Sequence, residues 1–137
     1  QPLTDFLHNH PFLTHLRLGY YFDRQDELSF QLRSLSLDSD NAFYIDYLPD
    51  TIEELKLGNN FFSELDNLPS AIKKITFDEY STYDKKLNCL PNGLEYLQLP
   101  HSYNKKIQNI PPSLKKLICS INYPYKSDFI DVEVENI

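Results

Sequence analysis

Apolar residues recur along the chain in groups of three, in which the first is followed by others three and five positions later. The first members of successive groups lie 19 to 22 residues apart. The six groups are Leu13/Leu16/Leu18, Leu32/Leu35/Leu37, Ile52/Leu55/Leu57, Ile72/Ile75/Phe77, Leu94/Leu97/Leu99 and Leu114/Leu117/Cys119. Repeats of this period are typically one short strand and a return segment stacked on their neighbours, so the pattern predicts a strand in every group.

A proline stands three residues before each of the last four groups. Since proline has no N–H to donate to a sheet, these positions indicate turns that lead into the strands. They are Pro49, Pro69, Pro91 and Pro111. A period of about twenty residues also leaves little room for a long helix. The sequence therefore predicts a leucine-rich repeat solenoid with six short parallel strands on a concave face, an irregular or extended convex side and little helix.

Both ends of a solenoid must be closed against water, which suggests three segments. Residues 1–12 are predicted as an N-terminal cap, in which Thr4 or Asp5 could begin a short helical turn. Residues 13–122 form the solenoid, and residues 123–137 a C-terminal cap strand. Within the last segment, Phe129/Val132/Val134 repeat the triplet spacing, and the alternation from Ile130 to Val134 predicts a strand that caps or continues the sheet.

Charge supports the alignment of the repeats. The residue after the first member of each triplet, from the second repeat onward, alternates in sign: Arg33, Glu53, Lys73, Glu95, Lys115. Equivalent residues of adjacent strands lie about 4.8 Å apart, so the alternation avoids contacts between like charges.

Aromatic residues divide into two groups by their phase in the repeat. Phe61, Tyr83 and Tyr103 recur in phase and are predicted to lie in the core. The aromatics outside that phase are candidates for exposed anchors. They include Tyr20, Tyr44, Tyr47, Tyr80, Tyr123 and Tyr125.

Within each predicted strand, two residues alternate with the apolar ones and point away from the core. The candidate partner-binding residues are His15, Arg17, Ser34, Ser36, Glu54, Lys56, Lys74, Thr76, Tyr96, Gln98 and Lys116. They carry four cations and one carboxylate, a net of +3 on a chain of net charge −7. This strip predicts binding to an acidic patch of another protein, with Tyr96 as the main anchor. The alternative is that a solvated sheet face simply carries lysine and threonine.

Composition narrows the functional classes. The chain has 137 residues, 41% hydrophobic, with a pI near 4.9, which suits one domain and argues against nucleic acid as a partner. It has no apolar run of about eighteen residues and no basic, apolar start, so we expect neither membrane insertion nor a signal peptide. Cys89 and Cys119 differ in repeat phase, so no disulfide is expected, and a cytoplasmic location is favoured.

Catalytic chemistry finds little support. His8, His10 and His15 have no cysteine or carboxylate at ligand spacing, which favours a polar cap over a zinc site. The three glycines are scattered, and the serines flank no nucleophile elbow. We expect no enzymatic activity, no metal and no cofactor.

Two stretches carry a family resemblance. Tyr103–Ile107 followed by Ile110–Leu117 resembles the FNIP repeat, a leucine-rich variant known from social amoebae and giant viruses, with its aromatic-Asn-x-x-Ile corner and Leu-Pro-x-x-Leu-x-x-Leu stretch. Tyr83–Leu87 with Leu90 and Pro91 is a second copy one period earlier. The Leu-Pro spacing is also similar to the short leucine-rich repeats of bacterial effector proteins.

Either resemblance implies a non-enzymatic module that binds a protein on its concave face. In amoebal and viral relatives such repeats often follow an F-box, which implies the recognition part of a ubiquitin-ligase adaptor acting in the cytoplasm, or in the host cytoplasm if the source is viral. No F-box-like stretch is visible in these residues. The expected partner is a protein, for a viral source a host protein, with an acidic patch, and the expected state is a monomer or weak dimer. The alternative is a structural protein that self-associates through its solenoid ends.

Overall fold

The structure, a computed structural model, describes residues 9–10, 12–19, 31–38 and 45–137. Seven short strands in these residues form one parallel sheet in which the strands follow each other in chain order. They are β1 (His15–Leu18), β2 (Ser34–Leu37), β3 (Glu54–Leu57), β4 (Lys74–Phe77), β5 (Tyr96–Gln98), β6 (Lys116–Cys119) and β7 (Glu133–Asn136). The predicted N-terminal cap, with Thr4, Asp5 and His8, lies almost wholly outside the described residues.

The middle residue of each triplet sits beside its counterpart in the next strand. The aligned row is Leu16, Leu35, Leu55, Ile75, Leu97, Leu117 and Val134. Its five central members are fully buried, as expected when each side chain is covered by one above and one below. The leucine-rich repeat solenoid and its six predicted strands are confirmed.

The prolines act as predicted, in turns before the strands. The N–H of the first triplet residue donates to the carbonyl of the proline three residues earlier, at 3.1 to 3.3 Å in four repeats. In the first repeat His10 takes that place and accepts from Leu13 at 3.1 Å. The turn needs only the carbonyl of this residue as an acceptor, so the missing N–H of proline removes no hydrogen bond from the turn.

Hydrogen bonds between repeats fix the register. Two consecutive N–H groups, those of Glu53 and Glu54, donate to the single carbonyl of Arg33 at 2.8 and 3.0 Å, and the same arrangement recurs in later repeats. The residues of alternating charge are the same residues whose carbonyls accept these hydrogen bonds. Arg33 pairs with Glu53 at 2.9 Å, and Lys115 pairs with Glu95 at 2.7 Å. The hydrogen bond from Lys115 lowers the pKa of the Glu95 carboxyl. Exposed pairs of this kind contribute little stability, but they show that the row was correctly aligned.

A row of aromatic rings crosses the return segments, formed by Phe61, Tyr83, Tyr103 and Tyr123. We call it the aromatic ladder. Each tyrosine hydroxyl donates to a backbone carbonyl one repeat earlier: Tyr83 to Ser63 at 3.0 Å, Tyr103 to Lys85 at 2.9 Å and Tyr123 to Lys105 at 2.8 Å. Burial raises the pKa of Tyr103 to about 12 and raises those of Tyr83 and Tyr123 as well.

The expectation that Tyr123 is an exposed anchor was wrong. It is 2% exposed, because it stands one period after Tyr103 and its ring packs 6.3 Å from both Tyr103 and Phe129. Two other candidates, Tyr47 and Tyr80, are exposed as predicted, at 66% and 78%. Tyr125 is half-buried, and Tyr20 and Tyr44 lie outside the described residues.

The last return segment is shorter than the others, which shifts the final strand. Leu114 comes eleven positions after Tyr103, but Asp131, which takes the equivalent place, comes eight positions after Tyr123. A single 3₁₀ turn at Lys126–Asp128 and a left-handed backbone at Asp131, with φ of 60°, accommodate this return. Val134 therefore pairs with Leu117, so the triplet register that the spacing suggested was wrong by two residues.

Candidate protein-binding face

The residues that alternate with the buried row form two columns across the sheet. The first is His15, Ser34, Glu54, Lys74, Tyr96, Lys116 and Glu133, and the second is Arg17, Ser36, Lys56, Thr76, Gln98, Ile118 and Glu135. We call this surface the polar face. It contains all eleven residues that the sequence selected, although Ser34 is only 7% exposed. Because successive strands are in register, neighbours within a column lie about 4.8 Å apart.

A hollow of about 670 Å³ lies along the second column of the polar face and the ends of the strands beside it. Lys56, Thr76 and Gln98 contribute to its floor. Thr76 brings a buried hydroxyl that has no hydrogen-bond partner within the described part of the chain. Acidic residues that follow the strands, Asp78 and Glu79, also line the hollow. The second column therefore borders a hollow with an acidic rim, and Lys74 and Tyr96 of the first column lie outside that hollow.

Most charges on the polar face are paired within the protein. Arg17 binds Asp38 at 2.9 Å, and Lys56 lies 3.4 Å from Glu54 on its own strand. Lys116 contacts Glu135 at 2.8 Å and Glu133 at 3.9 Å. The hydrogen bond that Lys116 donates to the Glu135 carboxylate raises the pKa of Lys116. Each of these cations therefore has a carboxylate within ion-pair distance before any partner binds.

The two glutamates of β7 were missing from the sequence selection. With them the polar face has four cations and three carboxylates, a net of +1 in place of +3. The signal was present in the alternation Asp131-Val132-Glu133-Val134-Glu135, but the triplet spacing placed the strand two residues too early. The face is mixed in charge rather than basic.

Lys74 and Tyr96 form the centre of the polar face. The Lys74 ammonium lies 4.5 Å from the centroid of the Tyr96 ring, a cation–π contact, and Lys116 stands on the opposite side of Tyr96 in the same column. Partial burial raises the pKa of the Tyr96 hydroxyl. Among the cations of the polar face, Lys74 is the one with no carboxylate within ion-pair distance in the described residues.

Close packing at the end of β3 leaves no room for a side chain at Gly58. A Cβ there would lie 2.0 Å from a carboxylate oxygen of Asp38 and 3.1 Å from its Cα. Gly58 therefore allows Asp38 to reach Arg17 across the border of the hollow. Gly19 takes the equivalent position after β1. A Cβ added there would have no atom within 4 Å.

The described residues contain no group of three metal-ligating side chains. His15 contacts the hydroxyl of its neighbour Thr14 at 2.8 Å, and His8 lies outside the described residues. Both cysteines are free, Cys89 on the surface and Cys119 in the core, where burial raises the pKa of its thiol. In the part of the chain that the structure describes, no helix has the length and apolar content needed to cross a bilayer.

The most regular repeats match a known family. Residues 83–120 match the family described as FNIP Repeat. This segment is therefore similar to FNIP repeats. The match spans both stretches that carried the resemblance, from the Tyr83 corner to the end of β6. In these FNIP repeats the aromatic of the corner is the tyrosine of the aromatic ladder, which explains why an aromatic recurs there.

The chain is also similar to a crystal structure described as that of "CroV588 a novel circular LRR protein". The two share 31% sequence identity over 82% of this chain, with a TM-score of 0.64. This chain spans 18% of the length of CroV588. The likeness confirms the leucine-rich repeat fold. No curated protein sequence matches the chain.

Proposed function

We propose that this FNIP-repeat chain is a protein-interaction module that holds a partner on the polar face of its sheet. Solenoids of this kind are typically non-enzymatic scaffolds, and their stacked strands create an extended concave surface for binding. One observation supports the proposal most directly. The polar face has an aromatic ring at its centre, Tyr96, beside a cation, Lys74, that has no carboxylate within ion-pair distance among the described residues. A few residues, enriched in tyrosine, tryptophan and arginine, supply most of the binding energy of a typical interface.

The proposed partner is a protein that presents a carboxylate to Lys74. This retains the acidic contact expected from the sequence, but it limits that contact to one lysine, because the other cations are paired internally. The FNIP resemblance supports two finer proposals: a role as the recognition part of a ubiquitin-ligase adaptor, and a cytoplasmic location. Cell fractionation and co-purification with ligase subunits would test them, and a chain found only outside the cytoplasm would contradict both.

The test of the binding face is partner capture by matched variants. Wild-type chain, Tyr96→Ala, Lys74→Ala and the control Tyr80→Ala are immobilised and exposed to an amoebal lysate. Tyr80 is 78% exposed but lies in the turn after β4 rather than on the polar face. We expect bound proteins to be kept by wild type and Tyr80→Ala and lost by the two polar-face variants. Equal capture by all four chains would move the binding surface elsewhere.

Self-association is a second candidate. Among the described strands, β7 has β6 as its only neighbour, so its other edge is unpaired there. Ile130, beside β7, is 80% exposed. Strand edges of this kind favour pairing. Glu133 and Glu135 oppose it, since two identical β7 edges would bring like charges together. We therefore expect a monomer or weak dimer. Light scattering over a range of protein concentrations tests this, and a stable dimer at low micromolar concentration would favour the structural role.

A further inference from the structure

Ion pairing among the described residues leaves two charges of the polar face unpaired, and these have opposite signs. Lys74 on β4 has no carboxylate partner in the described residues. On β7, Glu133 and Glu135 share the single cation Lys116, which leaves one negative charge in excess. Glu133 and Glu135 are 72% and 54% exposed, so both can meet a partner.

The distance between these two charges matches the span of a short extended peptide. Three strand intervals of about 4.8 Å place the two sites roughly 14 Å apart. An extended peptide laid across the strands advances about 3.4 Å per residue, so four residues cover the same span. Residues i and i+4 of an extended segment also point to the same side. A peptide with opposite charges at i and i+4 therefore matches both sites at once.

Tyr96 lies between the two sites, one strand from Lys74 and two strands from β7. The side chain at position i+2 of such a peptide would point toward the ring and toward Ile118 of the neighbouring column on β6. An apolar side chain suits this place, since the centre of an interface is its most desolvated part.

We infer that the polar face recognises an extended dipolar segment of its partner, with a carboxylate on Lys74, an apolar side chain on Tyr96 and a cation on the β7 glutamates. This inference rests on the proposed function and deepens it. A purely acidic segment would meet an excess negative charge at β7, so charge reversal along the segment, rather than net charge, decides the partner.

The test uses synthetic peptides with neutral ends and Gly/Ser flanks. The dipolar peptide carries Glu-Ala-Leu-Ala-Arg. Its comparisons carry Glu-Ala-Leu-Ala-Glu, Arg-Ala-Leu-Ala-Arg and Ala-Glu-Leu-Arg-Ala, the last with the same composition but shorter charge spacing. Titrations followed by NMR of the labelled full chain give affinity and location together. We expect the dipolar peptide to bind about fivefold tighter than each comparison, with shifts at Lys74, Tyr96 and β7.

Single charge reversals should redirect the preference. Lys74→Glu makes both sites negative, so the two-arginine peptide should become the tightest. Glu135→Lys makes both sites positive, so the two-glutamate peptide should become the tightest. Lys86→Glu changes net charge by the same amount as Lys74→Glu but lies on a return segment, so it should leave the ranking unchanged.

The outcomes distinguish a failure of the dipolar inference from a failure of the proposed function. Peptides that shift the polar face without any charge preference overturn the dipolar inference and leave the proposed function standing. Absence of binding by all four peptides also overturns the inference. If, in addition, Tyr96→Ala captures partners as well as wild type, the proposed function fails too.

Discussion

Replacing Tyr103 by phenylalanine removes one buried hydroxyl and keeps its ring in the aromatic ladder. The hydroxyl donates to the carbonyl of Lys85 at 2.9 Å, so the change deletes one hydrogen bond between repeats and leaves that carbonyl without this donor. A buried hydrogen bond contributes about 1 kcal/mol net, and an unsatisfied partner can cost about 1–3 kcal/mol. We expect Tyr103→Phe to lower the free energy of unfolding by about 1–2 kcal/mol.

Urea denaturation followed by circular dichroism measures this change. With a urea dependence of about 2 kcal/mol/M, the midpoint should fall by about 0.5 to 1 M. The control is Tyr80→Phe, which removes a hydroxyl from a ring that is 78% exposed and should not move the midpoint. If Tyr103→Phe and Tyr80→Phe unfold together, the ladder hydroxyls do not stabilise the stack. Tyr83→Phe should resemble Tyr103→Phe, because its hydroxyl makes the same contact one repeat earlier.

Three further predictions concern stability. Above the ordinary tyrosine pKa of 10.0 the chain should lose stability. Burial raises the pKa of Tyr103 to about 12, so Tyr103 ionises first in the unfolded state, and a stabilisation that is complete below pH 10 is lost as the pH rises toward 12. The urea midpoint measured against pH tests this. Gly58→Ala should destabilise by about 1 kcal/mol, because its Cβ meets a carboxylate, whereas Gly19→Ala should not; equal melting temperatures would contradict the close approach. Leu97→Ala should cost about 2–5 kcal/mol in urea unfolding through its fully buried site, and Ile130→Ala almost nothing; a small effect at Leu97 would argue against continuous stacking.

The binding face shows where inference from sequence reaches its limit. The triplet spacing located eleven of the twelve residues that β1 to β6 contribute to the polar face, all but Ile118, because the alternation of a strand is local and the repeat copies it. It could not show that Arg17 is bound to Asp38 or Lys116 to Glu135, since these partners belong to neighbouring repeats, 21 and 19 residues away. Counting charges therefore gave a basic strip, whereas the structure shows a face of mixed charge in which Arg17, Lys56 and Lys116 are paired.

The last repeat shows the same limit in the fold. Its strand was expected from the sequence. The register of that strand and the burial of Tyr123 depended on how the short return segment, with its turn at Lys126–Asp128, packs against the previous repeat. The amino-acid sequence alone determined the period, the buried row and the parallel order, because identical spacings can bury their apolar residues together in only one alignment. The tertiary structure alone decided the path of the irregular returns and the pairing of charges, because these depend on distances between repeats that no local pattern specifies.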